Sequence, residues 1–109
     1  GFAAEEIKIL FLSRIEKEKG VFETIDAFEL LLNKGYNLCL CIVGDGDVLT
    51  NIKHYAKEKK IPRNRLSFLG YVSGLDKIKV FKEFIQNSEA YKIVGTSLGA
   101  DSELDFECV

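Results

Sequence analysis

Apolar positions along this chain switch repeatedly between strand-like and helix-like spacing, and the switches mark out its elements. Ile7, Ile9, Leu10, Phe11 and Leu12 form a nearly unbroken apolar run, as in a strand covered on both faces. From Gly20 the spacing becomes helical: Val21, Ile25, Phe28 and Leu32 share one stripe, with Glu23, Asp26 and Glu29 off it. Lys34-Gly35 is the expected stop, a basic last turn followed by a glycine able to turn left-handed. Asn37 to Val43 returns to a strand pattern, and Gly44-Asp45-Gly46-Asp47 leads almost directly into a second helix whose stripe is Val48, Ile52, Tyr55 and Ala56. Asp47 or Asp45 is placed to cap that helix, Lys57 to Lys60 gives it a basic end, and Pro62 stops it. Leu66 to Leu69 predicts a short third strand ending at Gly70. Ser73 with Asp76 three residues on has the capping-box arrangement, opening a third helix that buries Ile78, Phe81 and Ile85. Ala90 to Thr96 is a candidate fourth strand, and Gly99 to Val109 shows no dependable period.

Alternation of strands and helices predicts an α/β fold, a Rossmann-like three-layer sandwich on a mainly parallel sheet. With 109 residues the chain fits one domain. Ligands in such sheets bind outside the carboxyl ends of the strands, which here lead into Ser13 to Lys19, Gly44 to Asp47 and Gly70 to Gly74. No internal repeat, low-complexity segment or interdomain linker interrupts the pattern.

Composition narrows the choice of partner. Hydrophobic residues make up 47% and charged residues 29%, as in a globular protein and unlike a disordered tract. A net charge of −2 gives no general attraction to nucleic acid or anionic lipid, so an anion site has to be local. The longest apolar stretch, Leu38 to Val43, is too short to span a membrane, and no signal peptide opens the chain. The expectation is a cytoplasmic location, with the parent protein able to sit at a membrane periphery. Cys39 and Cys41 alternate with Leu38, Leu40 and Ile42 and read as small core side chains on one strand face.

The stretch FLSRIEKEKG, Phe11 to Gly20, carries the sharpest local signal. A strand end bearing Arg14, then Lys19 immediately before a helix, sets a planar donor fork and an ammonium beside a helix's positive end, which suits a phosphate or diphosphate. Glu16 and Glu18 could instead pair with these cations on an ordinary charged turn. Gly44-x-Gly46 resembles the start of a dinucleotide fingerprint, but Leu49 stands at the third glycine position and Asp45 and Asp47 would repel a pyrophosphate. A tight turn is the better reading. Receiver-domain chemistry needs acids where Ser13-Arg14 and Leu69-Gly70 stand. His54 has no second ligand nearby and reads as a surface residue, and the alternation Asp101, Glu103, Asp105, Glu107 reads as a frayed acidic tail rather than a metal site.

Taken together, ILFLSRIEKEKGVFETIDAFELLL, LCLCIVGDGDVLTNIKHYAKEKKI and RLSFLGYVSGLDKIKVFKE resemble, in order and spacing, the first half of the C-terminal domain of the glycosyl transferases group 1 family. These are retaining enzymes with two facing Rossmann-like domains. The resemblance covers about Ile7 to Glu83 and rests on the R-x4-K-G element, VGDG and FLGYV. It implies that Arg14 and Lys19 bind the diphosphate of a sugar-nucleotide donor, Ser13 standing where the family has glycine. It further implies that Gly44 and Gly46 form the turn after the second strand, near the nucleotide, that Val72 lies by the base, and that Lys77 approaches the same rim.

The family continues with a PS strand end, an EG turn and two glutamates in an E-x7-E arrangement, and none of these aligns with residues 84–109. The N-terminal acceptor domain is also missing from the sequence. The resemblance therefore implies a partial donor-binding domain, inactive alone, with a nucleotide diphosphate sugar as substrate and no cofactor or metal. Its expected partners are the sugar nucleotide, an acceptor domain or partner chain, and a second copy through an exposed sheet edge, with no nucleic acid and no membrane span. Two other readings stay open: a stand-alone nucleotide-binding or interaction module that docks on a partner, and a structural domain in which Arg14 and Lys19 only pair with Glu16 and Glu18.

Overall fold

A strand without polar positions needs cover on both faces, and that requirement organises the fold. The structure, a computed structural model, describes residues 6–72, 75–86 and 90–96. Its elements are β1 (Ile7–Leu12), a 3-10 turn (Lys17–Lys19), α1 (Val21–Asn33), β2 (Leu38–Val43), α2 (Leu49–Glu58), β3 (Leu66–Leu69), α3 (Leu75–Gln86) and β4 (Ala90–Thr96). The four strands form one parallel sheet in the order β3-β2-β1-β4. The α/β, Rossmann-like architecture read from the sequence is the one observed, and the candidate fourth strand is present.

Side-chain alternation sorts the core into two layers. Phe11, Leu40 and Ile42 face Val21, Ile25 and Phe28 of α1 and Ile52 and Ala56 of α2. On the opposite face Leu10, Leu12 and Val43 meet Val80 and Phe84 of α3. Ile25 and Ile52 are fully buried, and truncating such a side chain to alanine costs about 2–5 kcal/mol. Cys41 packs half-buried on the α3 side, and burial raises the Cys39 thiol above its usual range. A bond from the Tyr55 hydroxyl to Asp26 Oδ1 at 2.5 Å and ion pairs from Lys59 to Asp26 and Glu29 tie α2 to α1.

Helix boundaries show where local rules held and where packing overrode them. α1 closes as expected: Gly35 turns left-handed at φ 94°, its N–H donating to Leu32 and that of Tyr36 to Leu31, so orphan carbonyls are satisfied. The 3-10 turn before α1 was not foreseen. Gly20, at φ 78°, ends that turn and starts α1. The aspartate cap expected for α2 is corrected: Val48 is the capping position and no side chain caps it, because Asp45 Oδ1 instead accepts from the N–H of Gly46 at 2.7 Å. On α3, Val80 and Phe84 face Leu10, Leu12 and Val43, and Ile78 is half-buried. Apolar residues at 78, 80, 81, 84 and 85 offer two overlapping stripes, so spacing alone did not fix the rotation. Ser73 and the side chains of Phe81 and Ile85 lie outside the described residues.

The turn after β2 lies close against the chain leaving β1. A Cβ on Gly44, at φ 139°, would fall 1.9 Å from the Ser13 carbonyl oxygen, and one on Gly46 would fall 2.3 Å from that of Ile15. Backbone atoms cannot yield as a flexible side chain would. We expect Gly44→Ala and Gly46→Ala each to cost about 2–4 kcal/mol, or the fold, in urea unfolding, while Gly70→Ala, with open space at its Cβ, shifts stability by no more than about 0.5 kcal/mol.

Tyr55 gives a pH test of the α1–α2 tie. Its hydrogen bond to Asp26 raises the phenol above its ordinary pKa, aided by burial and the charge of Asp26. A folded pKa above the unfolded one means that this contribution is complete below the ordinary tyrosine range and is lost as pH rises through the raised value. Carbon NMR of the Tyr55 ring is expected to show the raised titration, and Asp26→Asn to move it back down.

Candidate functional site

The site at the sheet's carboxyl mouth begins with two residues that cannot move and one that cannot hide. Beyond β1 the chain continues beside β2: the Ser13 N–H donates to Val43 at 3.2 Å and that of Ile15 to Asp45 at 3.0 Å. The Ile15 carbonyl in turn accepts from the Val48 N–H at 3.2 Å, and its side chain is fully buried. Ser13 is also buried, so in this extended stretch Arg14 is the residue turned outward. Gly44 and Gly46 permit this seat, because any side chain there would occupy the place of Ser13 or Ile15.

Arg14 donates from Nε to Glu16 Oε1. That bond, then the charge of Glu16, and then those of Asp47 and Asp45 push the guanidinium above its already high pKa, so it stays charged. The Arg14 side chain is 66% exposed, and its two terminal nitrogens donate to no described residue. Lys19 is exposed on the 3-10 turn, with no ion pair among the described residues, Glu18 included. The amino end of α1 next to it has no side-chain cap, and Glu23 is the acid in its first turn, with Oε2 4.0 Å from the place a Cβ on Gly20 would take. The charged-turn alternative thus describes Arg14 in part and Lys19 not at all.

A shallow depression of about 40 Å³ opens at the mouth, lined by Leu12, Ser13, Arg14, Gly44, Asp45, Tyr71, Val72 and Lys77. It brings together Arg14, Gly44, Val72 and Lys77 of the residues singled out from the sequence. Lys19 and Gly46 lie outside its lining: Lys19 stands at the start of α1, and Gly46 packs against Ile15. Asp45 and Tyr71 also line the depression; both lie in segments that the sequence places at the strand ends, Gly44 to Asp47 and Gly70 to Gly74, though neither stands among the expected site residues. Leu69, Tyr71 and Leu75 are exposed around the third loop. A larger hollow of about 620 Å³ lies at the amino end of the sheet, where Lys59 and Arg65 are already held in ion pairs.

Topology explains why the mouth is a place for a ligand. From β1 the chain winds outward through β2 to β3, with α1 and α2 on one face, then returns by α3 across the other face to β4, on the far side of β1. Strand order therefore reverses beside β1, the kind of crevice where open α/β sheets bind ligands. The β1–β4 register also slips there, from Phe11 opposite Val94 to Leu12 opposite Thr96, a bulge at the carboxyl end of the pair.

Residues 1–94 match the family model of glycosyl transferases group 1. The chain belongs to that family. The match continues past Glu83, where the resemblance was expected to end, into β4. No curated protein and no solved structure matches the chain. No helix among the described residues is long and apolar enough to cross a membrane.

Because the side chains of Arg14 and Lys19 are exposed, their removal tests whether they hold the fold. Arg14→Gln and Lys19→Gln are each expected to leave the urea unfolding midpoint within error of that of the parent chain, as for exposed ion pairs. A larger loss for either, in urea titration at neutral pH, would give that cation a structural role.

Proposed function

We propose that the chain is the donor-binding part of a glycosyltransferase that moves a sugar from a nucleotide diphosphate sugar to an acceptor. The observation that carries this reading is the joint placement of Arg14, Gly44, Val72 and Lys77 around one depression at the switch in strand order, in a member of the glycosyl transferases group 1 family. Arg14 offers two unengaged terminal nitrogens to the diphosphate, and Lys19 a second charge beside the amino end of α1. Nucleotide base and ribose take the side bounded by Gly44, Val72 and Lys77, with Gly46 holding the turn behind it. Glu16 keeps the guanidinium oriented while the site is empty.

In the transfer step, negative charge grows on the departing diphosphate as the sugar's anomeric carbon becomes oxocarbenium-like. Fixed cations at that point stabilise the transition state more than the ground state. An open face binds donor but does not exclude water. An acceptor domain, from the same protein or a partner, is needed to close the cleft, so the chain alone binds donor weakly and transfers no sugar.

A second reading, an interaction module docking on a partner chain, is favoured by the exposure of Leu69, Tyr71 and Leu75 by the same mouth. Heteronuclear NMR titration with UDP, GDP and ADP at low salt separates the two. Donor binding predicts shifts at Arg14, Lys19, Gly44, Tyr71, Val72 and Lys77 with one preferred nucleotide, and about a tenfold or greater weakening in Arg14→Ala, as for loss of a charge-assisted bond. Silence at millimolar nucleotide would overturn the donor reading and leave the docking module.

A further inference from the structure

A second surface, away from the mouth, has a shape and charge that the donor reading does not use. β3 is the end strand of the sheet, and no described strand lies beyond it. Arg65 and Leu69 turn their carbonyls toward β2, accepting from Leu40 and Gly44 at 2.8 and 3.0 Å. By the alternation of a parallel ladder, Leu66 and Phe68 turn their N–H and C=O groups outward. Short as it is, this edge is ready to accept another strand.

Beside the edge lies a hollow of about 660 Å³ with Leu66 and Phe68 in its floor and four cations in its wall: Lys53, Lys57, Lys60 and Arg63. No acid lines it. None of the four makes an ion pair among the described residues, whereas their neighbours Lys59 and Arg65 are paired with acids. Lys53 Nζ lies 5.7 Å from the centroid of the Phe68 ring, which holds one positive charge against the edge. On the opposite face of the same strand Leu69 is exposed. An added strand would thus meet cations on its α2 side and apolar surface on its α3 side.

The sequence holds a segment with that pattern. Asp101, Glu103, Asp105 and Glu107 alternate with Ser102, Leu104, Phe106 and Cys108, so an extended chain here would carry its acids on one face and its apolar side chains on the other. We propose that residues 101–109 of a second copy of this chain add to β3 as an edge strand, acids toward Lys53, Lys57, Lys60 and Arg63, and apolar side chains toward Leu69. Reciprocal exchange of the two segments gives a twofold-symmetric dimer. Reach favours the second copy over the chain's own segment. The position beyond β3 lies four strand spacings from β4, roughly 19 Å, while the five steps from Thr96 to Asp101 span at most about 18 Å even when fully extended straight across the sheet. The dimer does not depend on donor binding.

Sedimentation velocity of the full chain at low salt, from about 10 µM to about 1 mM, tests this by mass action. A dimer is expected that weakens as salt screens the charges, with the Leu66 and Phe68 amides exchanging about tenfold more slowly in the dimer than in the monomer. Lys53→Glu with Lys57→Glu, and separately Glu103→Lys with Asp105→Lys, should each weaken it about tenfold or more, and an equimolar mixture of the two variants should recover association through the swapped charges. Recovery in the mixture distinguishes lost charge pairing from a damaged fold. A chain monomeric throughout overturns the proposal. So does a dimer indifferent to both reversals, or protection of Leu66 and Phe68 in a monomer, which would place the chain's own segment on the edge.

Discussion

The close approach of the β2–α2 turn to the chain leaving β1 is the constraint on which the rest of the mouth depends. Ile15 is held there three ways: by its N–H on Asp45, by its carbonyl on Val48, and by a side chain with no exposure. That arrangement exists because positions 44 and 46 lack a Cβ. Once Ser13 and Ile15 face inward, extended geometry leaves Arg14 one direction to take. A rigid backbone thus delivers a long, charged side chain to the carboxyl end of the sheet, so less freedom is lost when it meets an anion than if the whole loop had to be ordered.

The mouth and the far edge divide the chain's charge in different ways. Near the mouth Glu16, Asp45 and Asp47 surround Arg14 and keep it charged and oriented, so a ligand has to outcompete them locally; a net charge of −2 offers no general pull. At the β3 edge four cations stand together without acidic partners among the described residues. The first pattern suits a small anion held by geometry, the second an extended acidic partner met along a strand.

Much of this architecture was legible because it follows from periodicity. The apolar run of β1, the stripe of Val21, Ile25 and Phe28, and the alternation of β2 each have one good solution, and the sheet they form is the expected one. What periodicity could not show was contact between distant backbone segments. The Gly44-x-Gly46 turn read as a weak phosphate loop or a capped helix start, yet its glycines serve to seat Ile15. Asp45 bonds the turn's own N–H instead of α2, a competition between two local hydrogen bonds that spacing does not decide. Likewise the apolar positions of α3 permit two rotations, and only packing against Leu10, Leu12 and Val43 selects Val80 and Phe84. For the site, position in the sequence was enough to bring Arg14, Gly44, Val72 and Lys77 to one depression, while the place of Lys19 depended on a 3-10 turn that no pattern announced.

Nitrogen-15 relaxation of the uncomplexed chain tests the central claim most directly, because it measures whether the seat is rigid before any ligand arrives. The account predicts order parameters of about 0.85 at Ser13, Arg14 and Ile15, equal to those of β1 and β2. Values below about 0.6 at these three residues, with β1 and β2 rigid, would contradict it. Arg14 would then sit on a loose loop, and the glycines of the β2–α2 turn would not be what positions it.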